Sequence, residues 1–105
     1  MDKRAARNAY KSKKTPRGIF AVRCKKTGEA WVGSSTHLDS QVNSTWFELR
    51  SGLHRNKPMQ AVWNTHGETA FAYEVLEILD DDVPQLLLRD LLEERRKHWE
   101  GVFAP

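Results

Sequence analysis

The sequence predicts a small α/β fold, a three-stranded antiparallel-type sheet flanked by helices in the order β-β-α-α-β-α. Three observations carry that prediction. Two short strand-like segments, near Gly18–Lys25 and Glu29–Ser34, are joined by Lys26-Thr27-Gly28, a turn composition suited to a hairpin. Directly afterwards the apolar spacing changes to the period of a helix. A third alternating segment, Phe71–Leu79, precedes a long helical stripe that runs towards the C-terminus.

Each element has a local reason. Residues 1–17 read as a basic N-terminal arm before a domain of residues 18–105; Ala5, Ala6 and Ala9 favour a short helix that Thr15-Pro16 would end. After the hairpin, Leu38, Val42, Thr45, Trp46, Leu49 and Leu53 fall on one helical face. Ser35 or Thr36 is the expected cap, with Asp39 in the first turn and Gly52 at the end. Asn56 before Lys57-Pro58 predicts a second helix, Lys57–His66, whose inner stripe is Met59, Val62 and Trp63 and whose stop is Gly67. In the third strand Phe71, Tyr73 and Val75 alternate against Ala72, Glu74 and Leu76. Asp80-Asp81-Asp82 and Val83-Pro84 announce the last helix, with acids at the positive end of its dipole and a stripe of Leu87, Leu88, Leu91, Arg95, Trp99 and Val102.

Composition narrows the class. A chain of 105 residues supports one core. No apolar run approaches a membrane span, and the basic N-terminus leads into no apolar leader segment, so the expectation is a cytoplasmic protein that does not enter a membrane. Cys24 is the lone cysteine, which excludes an internal disulfide and a zinc framework; within a strand it reads as a small buried hydrophobe. Charge is unevenly placed. Residues 1–17 hold Lys3, Arg4, Arg7, Lys11, Lys13, Lys14 and Arg17 against Asp2 alone, seven cations and one carboxylate, net +6. The remaining positions carry ten cations and thirteen carboxylates, net −3. A cationic arm on a mildly acidic body suits a phosphate backbone, where displaced counterions supply free energy; the plainer reading is a solvated tail. Tyr10 offers the arm one ring that could stack on a base.

Gly18-Ile19-Phe20 and Trp31-Val32-Gly33-Ser34-Ser35 place their glycines on paired segments. With Leu49–His54, Gln60–Gly67 and Phe71–Glu77 in order behind them, the chain resembles the GIY-YIG nuclease superfamily over roughly residues 18 to 100. The resemblance implies a metal-dependent phosphodiesterase fold that cleaves nucleic acid with Mg²⁺ or Mn²⁺. It further implies a tyrosine in each strand, an arginine and a histidine in the first helix, a second histidine beyond it, and a metal-binding glutamate in the last helix. Those groups would move a proton, stabilise charge on phosphorus and hold the cation.

Most of these positions are occupied by other residues. The tyrosines fall at Phe20, which has no hydroxyl, and Trp31, which can donate a hydrogen bond but cannot act as a base. The helix arginine falls at Gln41 and the helix histidine at Thr45; His54 alone keeps its identity. Registering on Trp99 puts Arg96 at the acidic position, while Glu93 and Glu94 lie one turn earlier as candidate metal ligands. Arg23, Lys25, Lys26, Arg50 and Asn43 are the groups that could compensate.

Each candidate has a plainer alternative. His54 either handles phosphate or packs against a helix end. Phe20 and Trp31 either line a cleft or fill the core. Ser34 and Ser35 either hold a phosphate or cap a helix. Glu93 and Glu94 either bind metal or belong to a solvated, paired face with Arg95, Arg96 and Lys97. Lys57, beside His54 and Asn56, makes a polar corner suited to phosphate contact or capping. The expected function is a nucleic-acid-binding module, DNA favoured over RNA, with weak or lost cleavage. The alternatives are an active Mg²⁺- or Mn²⁺-dependent endonuclease using substituted residues, and a protein-interaction domain whose arm binds an acidic partner. Sequence leaves the oligomeric state open.

Overall fold

The computed structural model describes residues 16–103. Strands β1 (Gly18–Cys24), β2 (Ala30–Ser35) and β3 (Phe71–Ile78) form one antiparallel sheet in the order β2-β1-β3, with helices α1 (Leu38–Ser51), α2 (Lys57–His66) and α3 (Gln85–Phe103) around it. The element order and sheet are those expected. β1 is central and buried on both faces, which is why Gly18–Cys24 reads as an almost continuous apolar run. Phe20, Val22 and Cys24 turn towards α1 and α2, joining Leu49, Met59, Trp63 and Phe71. Ile19 turns the other way, to Leu79, Leu88 and Leu92 beneath α3. Among the described residues no helix is long and apolar enough to cross a membrane.

Aromatic rings tie the first layer together. Phe20 stacks on Tyr73 at 5.3 Å between centroids, Trp31 lies parallel to Phe71 at 6.0 Å, and Trp63 meets Phe71 edge-on at 5.1 Å. Cys24 is buried in the same layer.

Several details depart from the sequence reading. Arg17 belongs to the folded body: its carbonyl accepts from Leu79 N–H at 2.7 Å and its guanidinium donates to the Asp80 carbonyl at 3.0 Å. Neither Ser35 nor Thr36 occupies the N-cap of α1; His37 does, without a side-chain capping bond, while Ser35 Oγ accepts from His37 N–H at 2.9 Å and Leu38 N–H is satisfied by the Pro16 carbonyl at 3.0 Å. In β3 the register slips between Ile19, which pairs with Glu77, and Phe20, which pairs with Val75. The extra residue is Leu76, and this bulge lets both Leu76 and Glu77 face α3. Leu53 lies beyond the end of α1 and is 75% exposed. In α3, Leu88 and Leu92 are the buried leucines, whereas Leu87 and Val102 are exposed, and the helix starts at Gln85, after the three aspartates.

Candidate functional site

The two sequence glycines have packing causes. A Cβ on Gly18 would sit 1.9 Å from the Glu77 carbonyl oxygen, so β1 and β3 approach there only because position 18 has no side chain. A Cβ on Gly33 would meet the Phe20 ring at 2.7 Å, so the ring lies over the bare backbone of its cross-strand partner. Phe20 therefore fills a layer between Gly33 and Tyr73. Trp31, partly buried against the same layer, is held flat on Phe71.

Tyr73 carries a phenol next to Phe20, although from β3. Its hydroxyl is buried and has no hydrogen-bond partner among the described residues. Burial, with a smaller contribution from the Asp39 charge, pushes its pKa up to about 12. At neutral pH this phenol keeps its proton and can only donate.

Gln41 and His54 lie towards opposite ends of α1. The helical stretch from Gln41 to Ser51 alone spans about 15 Å. Gln41 donates its amide N–H to Thr45 Oγ1 at 2.9 Å, so the residues at the expected arginine and histidine positions bond to each other. His54 sits in a hydrogen-bonded corner between α1 and α2. Its backbone N–H donates to Gln60 Oε1 at 3.0 Å, and its ring Nδ1 accepts from Asn56 N–H at 3.0 Å. Asn56 in turn caps α2 through Met59 N–H at 3.1 Å, as its sequence position predicts. Burial, together with the Arg55 charge and against the attraction of Glu48, lowers the His54 pKa below its ordinary value. The folded state therefore favours neutral imidazole. Stability from this group is present above about pH 6.5 and lost as pH falls through the lower folded pKa. NMR titration of the ring is expected to give a midpoint below about 6.5; a midpoint above it would contradict a desolvated, accepting Nδ1.

The chemically varied surface lies at the end of β2. A cavity of about 640 Å³ is lined by Ser34 and Thr36 on one side and by Arg89, Asp90 and Glu93 of α3 on the other. A second cavity, about 420 Å³, shares Ser34, Thr36 and Leu92 and continues to His37, Ser40, Gln41 and Ser44. Ser34, Gln41 and Glu93 are thus brought to adjoining ground. Glu94 is not: it faces a separate groove with Val83, Pro84 and Leu87, because successive helical residues point about 100° apart. His54 is remote, as argued above.

The expected compensating cations are paired with carboxylates or lie away from this ground. Arg23 pairs with Glu74 at 2.8 Å and lies over the Phe103 ring, four residues along β1 from Ile19, the partner of Ser34. That is about 13 Å along the strand. Lys26 lies further on, exposed in the hairpin turn, and Lys57 is exposed at the start of α2. Arg50 makes a two-pronged bond to Glu68 at 2.9 and 2.6 Å. Lys3, Arg4, Arg7, Lys11, Lys13 and Lys14 lie outside the described residues.

Sequence reading missed Arg89 and Asp90. The signal was available: Gln85, Arg89 and Glu93 recur every four residues and share a helix face beside Leu88 and Leu92. The Asp90 and Glu93 carboxylates are hard oxygen donors of the kind Mg²⁺ or Mn²⁺ takes. Glu93 also receives both prongs of Arg96, at 2.5 and 3.3 Å, which lowers its pKa and keeps it ionised. Among the described residues no three His, Cys, Asp or Glu side chains gather as a ready-made metal cluster.

No protein-family model and no curated protein matches the sequence. Two solved structures match in fold. A point mutant of the catalytic domain of the intron endonuclease I-TevI superposes with a TM-score of 0.72 at 22% identity, over 85% of this chain and 84% of that one. The catalytic domain of the homing endonuclease I-TevI gives 0.70 at 24% identity, over 83% of this chain and 87% of that one. Likeness at this identity speaks for the fold, and it matches the architecture implied by the paired glycine segments.

Proposed function

We propose that this chain, which has a GIY-YIG-like fold, is a nucleic-acid-binding domain whose phosphodiester cleavage is weak or lost. One observation carries the reading: the residues at the expected chemical positions are packed or bonded as structural parts. Phe20 covers Gly33, Trp31 lies on Phe71, and Gln41 bonds to Thr45. Removing one preorganised charge-stabilising donor costs about 10²–10³ in rate, and removing the base costs a further ~10²–10⁴. Binding needs neither group. It is supported by the net charge of residues 1–17 and by the hydroxyl-lined cavities at Ser34. DNA rather than RNA is taken as the polymer in this reading; both similar solved structures are the catalytic domain of one protein, the homing endonuclease I-TevI.

A second reading, an active endonuclease, is favoured by the meeting of Arg89, Asp90 and Glu93 in one cavity. In that reading Asp90 and Glu93 would hold Mg²⁺ or Mn²⁺, and the cation would polarise the phosphate. Incubation of supercoiled plasmid with either metal separates the two. The expected result is nicking no greater than that of Glu93→Ala. Nicking that survives further purification and disappears in Glu93→Ala would establish the second reading. Binding is checked by fluorescence anisotropy against salt. Removing residues 1–15, which leaves the Pro16 and Arg17 backbone bonds intact, should flatten the slope by up to about 0.9 per lost phosphate contact. A full chain that ignores both DNA and RNA at low salt would leave the protein-partner reading in its place.

A further inference from the structure

We infer that the adjoining cavities at the end of β2 form a groove for a phosphodiester linkage, gripped by the guanidinium fork of Arg89. The inference rests on the nucleic-acid reading and deepens it by naming the group that holds the backbone. Its basis is an accounting of the arginines. Among the described residues, Arg23, Arg50, Arg95 and Arg96 are paired with carboxylates, and Arg17 donates to a backbone carbonyl. Arg89 makes no such bond and lines the larger cavity. Arg55 is also without one, but it lies beyond the far end of α1.

A guanidinium presents two parallel N–H groups that match two phosphate oxygens. Across the cavity stands the exposed hydroxyl of Ser34, and Ser40 and Ser44 of α1 extend the polar wall past it. Gln41, where the sequence resemblance implies an arginine, looks onto the same ground from α1. In this groove the cation stands on α3 rather than on α1. Two carboxylates share the cavity. Glu93 is bonded to Arg96, a cation it shares with Glu100, and Asp90 opposes a bare phosphate, so the grip should tighten when Mg²⁺ is added.

Two measurements on the full chain test this. In the first, inorganic phosphate with Mg²⁺ is titrated while the arginine Nε–H signals are followed by NMR. The Arg89 signal is expected to shift and the Arg55 signal to stay; an unmoved Arg89 overturns the groove. In the second, a short DNA oligonucleotide is titrated at several salt concentrations. Arg89→Ala is expected to weaken binding about tenfold and to flatten the salt slope by about one, while Arg55→Ala changes neither by more than about twofold. Arg89→Lys, which keeps the charge but loses the fork, should recover less than half of the lost affinity on a logarithmic scale. Wild-type affinity in Arg89→Ala or in Arg89→Lys overturns the proposed grip while leaving the functional reading standing. If the oligonucleotide does not bind the wild-type chain at all, the functional reading falls. The phosphate titration then decides the groove alone.

Discussion

Gly18→Ala is expected to destabilise the fold by about 3 kcal/mol, the upper end of the cost of forcing atoms into a packed interior. For a domain near this size that is roughly 12–24 °C of Tm. The cause is the nature of the obstacle. The new methyl would stand 1.9 Å from a backbone oxygen, that of Glu77, and 3.0 Å from Ile78 Cα. No side chain can turn aside to make room, so the β1–β3 pairing must open at the bulge. Gly33→Ala is the informative comparison. There the obstacle is the Phe20 ring at 2.7 Å, a side chain, so Phe20→Leu should recover part of the loss. Gly101→Ala, with nothing within 4 Å in the α3 helix, should be neutral or stabilising by about 0.5–1 kcal/mol. Urea denaturation of the single and double variants measures all of these. A Gly18→Ala protein with the wild-type midpoint would mean that the close approach of β1 to β3 is misassigned.

Those same glycines explain why the architecture was legible at all. Their roles are local and steric, so they leave a mark at fixed positions on the two hairpin segments. Asn56 before Lys57-Pro58 marked the start of α2 for an equally local reason, since its side chain bonds to Met59 N–H. What could not be read depends on partners distant in sequence. The start of α1 is set partly by the Pro16 carbonyl, which bonds to Leu38 N–H from 22 positions away. Composition gives no sign of the Leu76 bulge, because an inserted residue in a strand leaves the alternation looking intact until the register is known. The run Leu86-Leu87-Leu88 permits more than one helical phase; the sheet selects the one that buries Leu88 and Leu92 and leaves Leu86 88% exposed.

The site followed the same division. Sequence identified the residue types at the expected positions, and with them the absence of a hydroxyl at Phe20 and of a cation at Gln41. It could not show that α3 lays Arg89 beside Ser34, because that depends on how α3 packs over β2. It also grouped Glu93 with Glu94, which helix geometry sends to different grooves.

Glu77 provides the second large effect. Arg95 lies in the apolar stripe of α3, and a charge placed there calls for a partner. Glu77, turned towards α3 by the bulge, provides it: Oε1 accepts from Arg95 Nε and from Trp99 Nε1, each at 2.9 Å. Burial opposes ionisation of this carboxyl, yet the bonds from Trp99 and Arg95, with the charges of Arg95 and His98, hold its pKa below the usual carboxylate range. Glu77→Ala removes both bonds and leaves a partly buried indole N–H unsatisfied, a loss of about 2–3 kcal/mol. Glu77→Gln keeps an acceptor for Trp99 and loses only the charge, so about 1 kcal/mol is expected. The sign of the acid dependence follows from the depressed pKa. Stability from ionised Glu77 is fully present above the unfolded-state value, near pH 4.3, and is lost as pH falls through the lower folded value. Urea midpoints measured from pH 7 to pH 3 should therefore converge for wild type and Glu77→Gln at the acid end. Parallel curves, separated by the same interval at every pH, would show that the carboxylate does not hold α3 to β3 by its charge.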